Sequence, residues 1–74
     1  MNNDRRKVLA EAIGKINEAK DLIEQAKDEE QECYDNLPEG IQYGERGETM
    51  QENVSAMEEA IDQLDEAVAL VEEL

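Results

Sequence analysis

Apolar residues recur at helical spacing over two stretches of the chain, separated by a short segment rich in glycine. In the first stretch Leu9, Ile16, Ile23 and Leu37 fall in one sevenfold series, with Glu30 taking the fourth place in it. Ala12, Ala19, Ala26 and Cys33 each lie three residues after a member of that series, and Val8, Ile13 and Leu22 broaden the stripe. In the second stretch Met50, Met57, Leu64 and Val71 form the series, Val54, Ile61 and Val68 follow at four, and Ala60, Ala67 and Leu74 fill the adjacent slot. Alternating steps of three and four keep side chains on one face of an α-helix. The acids of the second stretch (Glu48, Glu52, Glu58, Glu59, Asp62, Asp65, Glu66, Glu72 and Glu73) take the outer positions.

The boundaries follow from local chemistry. Asp4 can cap the first helix, and Pro38 stops it, because proline disfavours helical geometry in the residue before it. The first helix therefore covers about residues 4–36, a bend covers 37–44, and the second helix covers about 45–73. Thr49 and Glu52 have capping-box spacing, but Glu45 and Glu48 suit a first turn that begins near Gly44, and the earlier start is preferred. Two long helices joined by a short connection predict an all-α single domain, residues 1–74, folded as an antiparallel hairpin. Both stripes are wider than one helix–helix contact uses, which predicts a homodimer of hairpins forming a four-helix bundle. The alanine series lets a neighbouring helix approach closely. Gly14 lies on the outer face, costs about 1 kcal/mol relative to alanine, and has no packing reason in the pattern.

Charge changes this picture. The chain of 74 residues has 7 basic and 21 acidic side chains, a net of −14. Residues 1–37 hold six basic and ten acidic groups, whereas residues 38–74 hold eleven acids and a single cation, Arg46. Such a field disfavours direct binding to nucleic acid or anionic lipid and favours a basic protein partner. Arg5, Arg6 and Lys7 begin the first helix, and Glu72 and Glu73 end the second, each cluster opposing its own helix dipole. In an antiparallel pair the two clusters offset each other; alternatively the basic cluster touches a partner.

The inventory argues against catalysis. There is no histidine, the usual general base and metal ligand near neutral pH, and no phosphate-binding loop, dinucleotide fingerprint or calcium loop appears. Ser55 and Thr49 lie in an acidic helix far from any lysine. Cys33 reads as a seam thiol packed as a small hydrophobe. Glu30 either pairs with Lys27 or Arg46 at a wet bundle end or contacts a partner. No cofactor and no metal are expected. A single cysteine fits a reducing compartment, no apolar run follows the basic start, and no stretch approaches the ~20 apolar residues of a membrane span. The expectation is a soluble cytoplasmic protein without membrane contact.

The connecting segment YDNLPEGIQYGERG holds both tyrosines, the proline and three of the four glycines. Proline and glycine serve the bend, the glycines by freedom to take positive φ. Leu37, Ile41 and Tyr43 either cap the last apolar layer around Cys33 and Met50, or Tyr34, Tyr43 and Arg46 form a recognition patch. The run YDNLPEGIQYGERGETMQENVSAMEEAIDQLDEA resembles a family of small acidic proteins from bacteriophage and prophage genomes, which share a Tyr-Asp-Asn-Leu-Pro turn and an Arg-Gly-Glu helix start. The resemblance covers a little under half of the chain. It implies a viral gene expressed inside a bacterium and carries no activity with it.

Three functional readings follow. The first is a DNA-mimicking inhibitor of a host nucleic-acid-binding defence protein, acting through the ridge Glu48, Glu52, Glu59, Asp62, Glu66 and Glu73. The second is a self-assembling helical scaffold. The third is a nucleotide-sequestering protein that stacks its ligand on Tyr43 beside Arg46.

Overall fold

The computed structural model describes every residue from Met1 to Leu74 and is all-helical. Its elements are α1 (Asn3–Asp35), α2 (Glu39–Gln42) and α3 (Glu45–Glu72). The molecule is a thin rod, 58 × 15 × 11 Å between Cα atoms. At 1.5 Å per residue α1 alone extends roughly 50 Å, so the two long helices share the rod's length. Lys20 of α1 pairs with Asp65 of α3, and Asn53 of α3 donates to the Glu30 carboxylate at 2.9 Å. Residue numbers thus rise along α1 as they fall along α3. Arg6, Leu9, Ala10, Ile13, Val71, Glu72 and Leu74 line one cleft where the first turns of α1 meet the last of α3.

The start of α1 differs from the expected one. Asn2, and not Asp4, is the cap: its Oδ1 accepts from the Arg5 amide at 2.8 Å. Asp4 instead sits in the first turn, where its charge favours the positive end of the helix dipole. Arg5, Arg6 and Lys7 make no ion pair with Glu72 or Glu73. Arg6 donates from Nε to the Met1 carbonyl at 3.3 Å, and Lys15, Lys20 and Lys27 pair with Glu11, Asp65 and Asp28. Arg6 and Glu72 share the wall of one cleft without a direct ion pair.

The connection is more regular than a bend. After α1, Pro38 leads directly into a one-turn helix, its carbonyl accepting from the Ile41 and Gln42 amides at 2.9 and 3.0 Å. Gly44 then caps α3 in extended geometry, which places the helix start before Thr49 as expected. No glycine adopts positive φ, so the glycines do not serve the bend through left-handed geometry. Gly47 lies inside α3 and is buried for another reason. A Cβ built there would sit 2.6 Å from the carbonyl carbon and 2.8 Å from the Cα of Gln42. Only hydrogen fits between those backbones. Gln42 itself turns back on α1, its Nε2 donating to the Tyr34 carbonyl at 2.9 Å and to that of Asp35 at 3.4 Å. The Tyr34 carbonyl also accepts from the Leu37 amide at 3.0 Å, so Gln42 adds a second bond at the end of the helix, where carbonyls run out of intrahelical partners. Gln42 therefore ties the end of α1 with its side chain and seats α3 with its backbone.

Packing between α1 and α3 is thin. Leu9, Ile13, Ile16 and Ile23 are half-buried on α1, and Met50, Met57, Ile61, Leu64, Val68 and Val71 are half-buried on α3. Val54 is the one buried apolar side chain. The α1 seam is also interrupted by polar groups, Lys20, Lys27 and Glu30, all half-buried. The Lys20 ammonium is held above its ordinary pKa, first by its hydrogen bond to Asp65 and then by nearby carboxylates. Glu30 is matched by Asn53 rather than by Lys27 or Arg46. No helix is long and apolar enough to cross a membrane.

Two glycines give opposite expectations. A Cβ at Gly14 would meet nothing within 4 Å, so Gly14→Ala should stabilise the fold by about 1 kcal/mol. Gly47→Ala forces α3 off Gln42 and should destabilise by about 1–3 kcal/mol. Denaturant melts of the two variants should bracket the parent, and a loss of stability in Gly14→Ala would contradict the open environment.

Candidate partner-binding surface

The α1–α3 seam divides the rod into two unlike sides. The Lys20–Asp65 pair lies along one edge and the Glu30–Asn53 hydrogen bond along the other. Beyond the Lys20 edge come Glu24, Asp21 and Asp28 on α1 and Glu58, Asp62 and Glu72 on α3, all exposed. Beyond the Glu30 edge the composition reverses. Glu30 sits between Ala26 and Cys33 in helical register, while Asn53 begins the sevenfold line that continues through Ala60, Ala67 and Leu74. The small residues of both helices therefore share one side.

The acidic ridge predicted on the second helix is fully presented. Glu48, Glu52, Glu59, Asp62 and Glu66 are exposed along α3, and Glu73 is exposed just past its last turn, as the C-terminal cap. None of the six has a cation as partner. Gln63 donates to Glu59 at 3.5 Å, a long contact within one turn. Neighbouring carboxylates three and four residues apart stand ~5–6 Å from each other at their Cβ atoms. Arg46, the one cation of the second half, is exposed and unpaired near the start of α3.

The recognition patch is brought together in part. Tyr34 and Tyr43 line an open groove of about 380 Å³ with Gln42, Gly47, Glu48, Gln51 and Glu52. Arg46 is not on its wall. Two carboxylates and no cation make this groove unfavourable for a nucleotide phosphate. Of the alternative capping set Leu37, Ile41 and Tyr43, only Leu37 is half-buried within the single chain; Tyr43 is 75% exposed and Ile41 is exposed too. Cys33 is exposed rather than packed in the seam.

Sequence reasoning missed Gln42 and Gly47. The available signal was a glycine three residues into an otherwise strong helix, where it weakens the helix unless another backbone comes close.

The exposure of Tyr43 sets a direct test. Tyr43→Ala should change stability by no more than ~0.5 kcal/mol, the usual range for an open surface site. A thermal melt of this variant that shows a loss above 1 kcal/mol would restore the capping role.

No family model, curated protein or solved structure matches this chain.

Proposed function

We propose that the chain is a non-enzymatic acidic binding protein, an antiparallel helical hairpin that pairs with a second copy of itself and competes with nucleic acid for a basic protein. The observation that carries this reading is the α3 ridge: six exposed carboxylates, no ion-pair partner for any of them, and no cation after Arg46. Ordinary solvated helices mix both signs, and a field of one sign costs self-repulsion. Attraction to a cationic groove offsets that cost when the partner is bound.

Charge density supports mimicry of a duplex. A net charge of −14 spread over 58 Å amounts to about one negative charge per 4 Å. Two copies side by side carry about one per 2 Å, close to the ~1.7 Å per charge of double-stranded DNA. In the bacteriophage setting that the resemblance of residues 34–67 implies, the partner is a basic nucleic-acid-binding protein of host defence, and the site of action is the host cytoplasm. The scaffold reading has no separate support beyond the pairing itself.

The test reverses the ridge. Host protein captured on the immobilised chain should be released by excess duplex DNA, because mimic and DNA occupy the same groove. Binding should fall steeply between about 50 and 200 mM salt. Glu59→Lys, Asp62→Lys and Glu66→Lys together should abolish capture while leaving helical content unchanged, since all three side chains are exposed. Unchanged affinity and salt response in the triple variant would remove the ridge from the mechanism.

A further inference from the structure

The apolar side of the rod has a self-complementary layout. On α1 it carries Val8, Ala12, Ala19, Leu22, Ala26 and Cys33, with Val8 and Leu22 64% and 68% exposed. On α3 it carries Ala56, Ala60, Ala67 and Leu70, with Leu74 just past the helix end; Leu70 and Leu74 are 65% and 56% exposed. The exposed large aliphatic side chains of the long helices all fall on this one side. On α3 the line Asn53, Ala60 and Ala67 is uncharged, Arg46 stands one heptad before it, and Leu70 borders the acidic ridge, about five helical turns beyond Glu52 on the same azimuth. The series on α1 is broken by two charges only, Lys15 and Glu29, and these stand seven residues before and seven after Leu22.

That symmetry singles out one arrangement. We propose that this side docks face to face with a second copy, about a two-fold axis through Leu22, with the two α1 helices antiparallel. The proposal rests on the reading of the chain as a self-pairing unit and adds the face, the orientation and the register. With the axis at Leu22, Lys15 of each copy meets Glu29 of the other. Ala19 then lies within one residue of level with Ala26 of the second copy, so the backbones approach closely where the leucines meet. The same axis suits α3: by the cross-helix pairing, Leu22 lies level with about residue 63, midway between Ala60 and Ala67. One axis thus centres both helices.

Two further features agree. Five of the six basic residues of α1 precede Asp21, and seven of the ten acids among residues 1–37 lie at Asp21 or beyond. Antiparallel α1 helices set the basic half of each against the acidic half of the other. The face measures 58 × 15 Å between Cα atoms, a projection of about 870 Å², comparable to the ~800 Å² per partner of a standard interface. The acidic side and the ridge members Glu48, Asp62, Glu66 and Glu73 then point outward from the pair, free to engage the basic protein.

A charge swap tests this register. By sedimentation equilibrium, Lys15→Glu and Glu29→Lys should each weaken self-association, by about tenfold if each like-charge pair forfeits several tenths of a kcal/mol. The double variant should restore it. Lys15 and Glu29 are about 21 Å apart in one helix and cannot rescue each other within a chain, although Lys15 also contacts Glu11 at 3.6 Å. A second arm uses disulfides. Leu22→Cys in a Cys33→Ser background should cross-link under mild oxidation. Native Cys33 should not, because its two copies lie roughly 33 Å apart along the axis, far beyond the ~4.4–6.8 Å between Cα atoms of a disulfide. A dimer that shows neither rescue nor Leu22→Cys cross-linking overturns the face while self-pairing stands. A parent chain that sediments as a monomer at all concentrations overturns both.

Discussion

A helix with one neighbour keeps most of its circumference in water, and this constraint governs the whole molecule. Fixing each residue costs about 1–2 kcal/mol in backbone entropy, and burial must offset it. In the single rod, α1 and α3 offer each other one narrow seam, which buries Val54 and leaves the other aliphatics that face it half-covered. The α1 side of that seam is weakened further by Lys20, Lys27 and Glu30. Hydrogen bonds at the seam match polar groups without adding apolar burial. The proposed second copy would supply the layer that two helices lack, docked on the side that holds Leu22.

Segregation of charge and apolar surface links this constraint to function. The carboxylates are not spread evenly. Those of α3 occupy mainly the Lys20 edge and the outward ridge, whereas the Glu30 edge carries alanine and leucine with Lys15 and Glu29 among them. Pairing through the apolar side doubles the outward charge without lengthening the rod. The proposed self-association and the proposed mimicry therefore need each other: one creates a core, the other a duplex-like density of negative charge.

The long elements were legible because their signals are repeated. Sevenfold series from Leu9 to Leu37 and from Met50 to Val71 mark two helices many times over, and Pro38 and Gly44 mark their inner ends. Single-residue decisions were harder to read. Asn2 and Asp4 are both good caps, and only the backbone path chooses Asn2. The Glu39–Gln42 turn is too short to show a period. Gly47 looked like part of the bend because it follows Gly40 and Gly44, yet its role is a close approach to Gln42 across a three-dimensional contact. The α3 ridge was readable from spacing, since exposure follows directly from a position opposite the apolar series. Proximity in sequence groups Arg46 with the tyrosines, but Arg46 does not line their groove.

In the proposed pair, folding and association are one event. Thermal unfolding followed by helical circular dichroism, over about 1 to 100 µM chain, measures it directly. Linkage to pairing predicts a midpoint that climbs by several degrees across that range. A cooperative transition whose midpoint stays fixed would show that the single rod holds itself together, and would contradict the account.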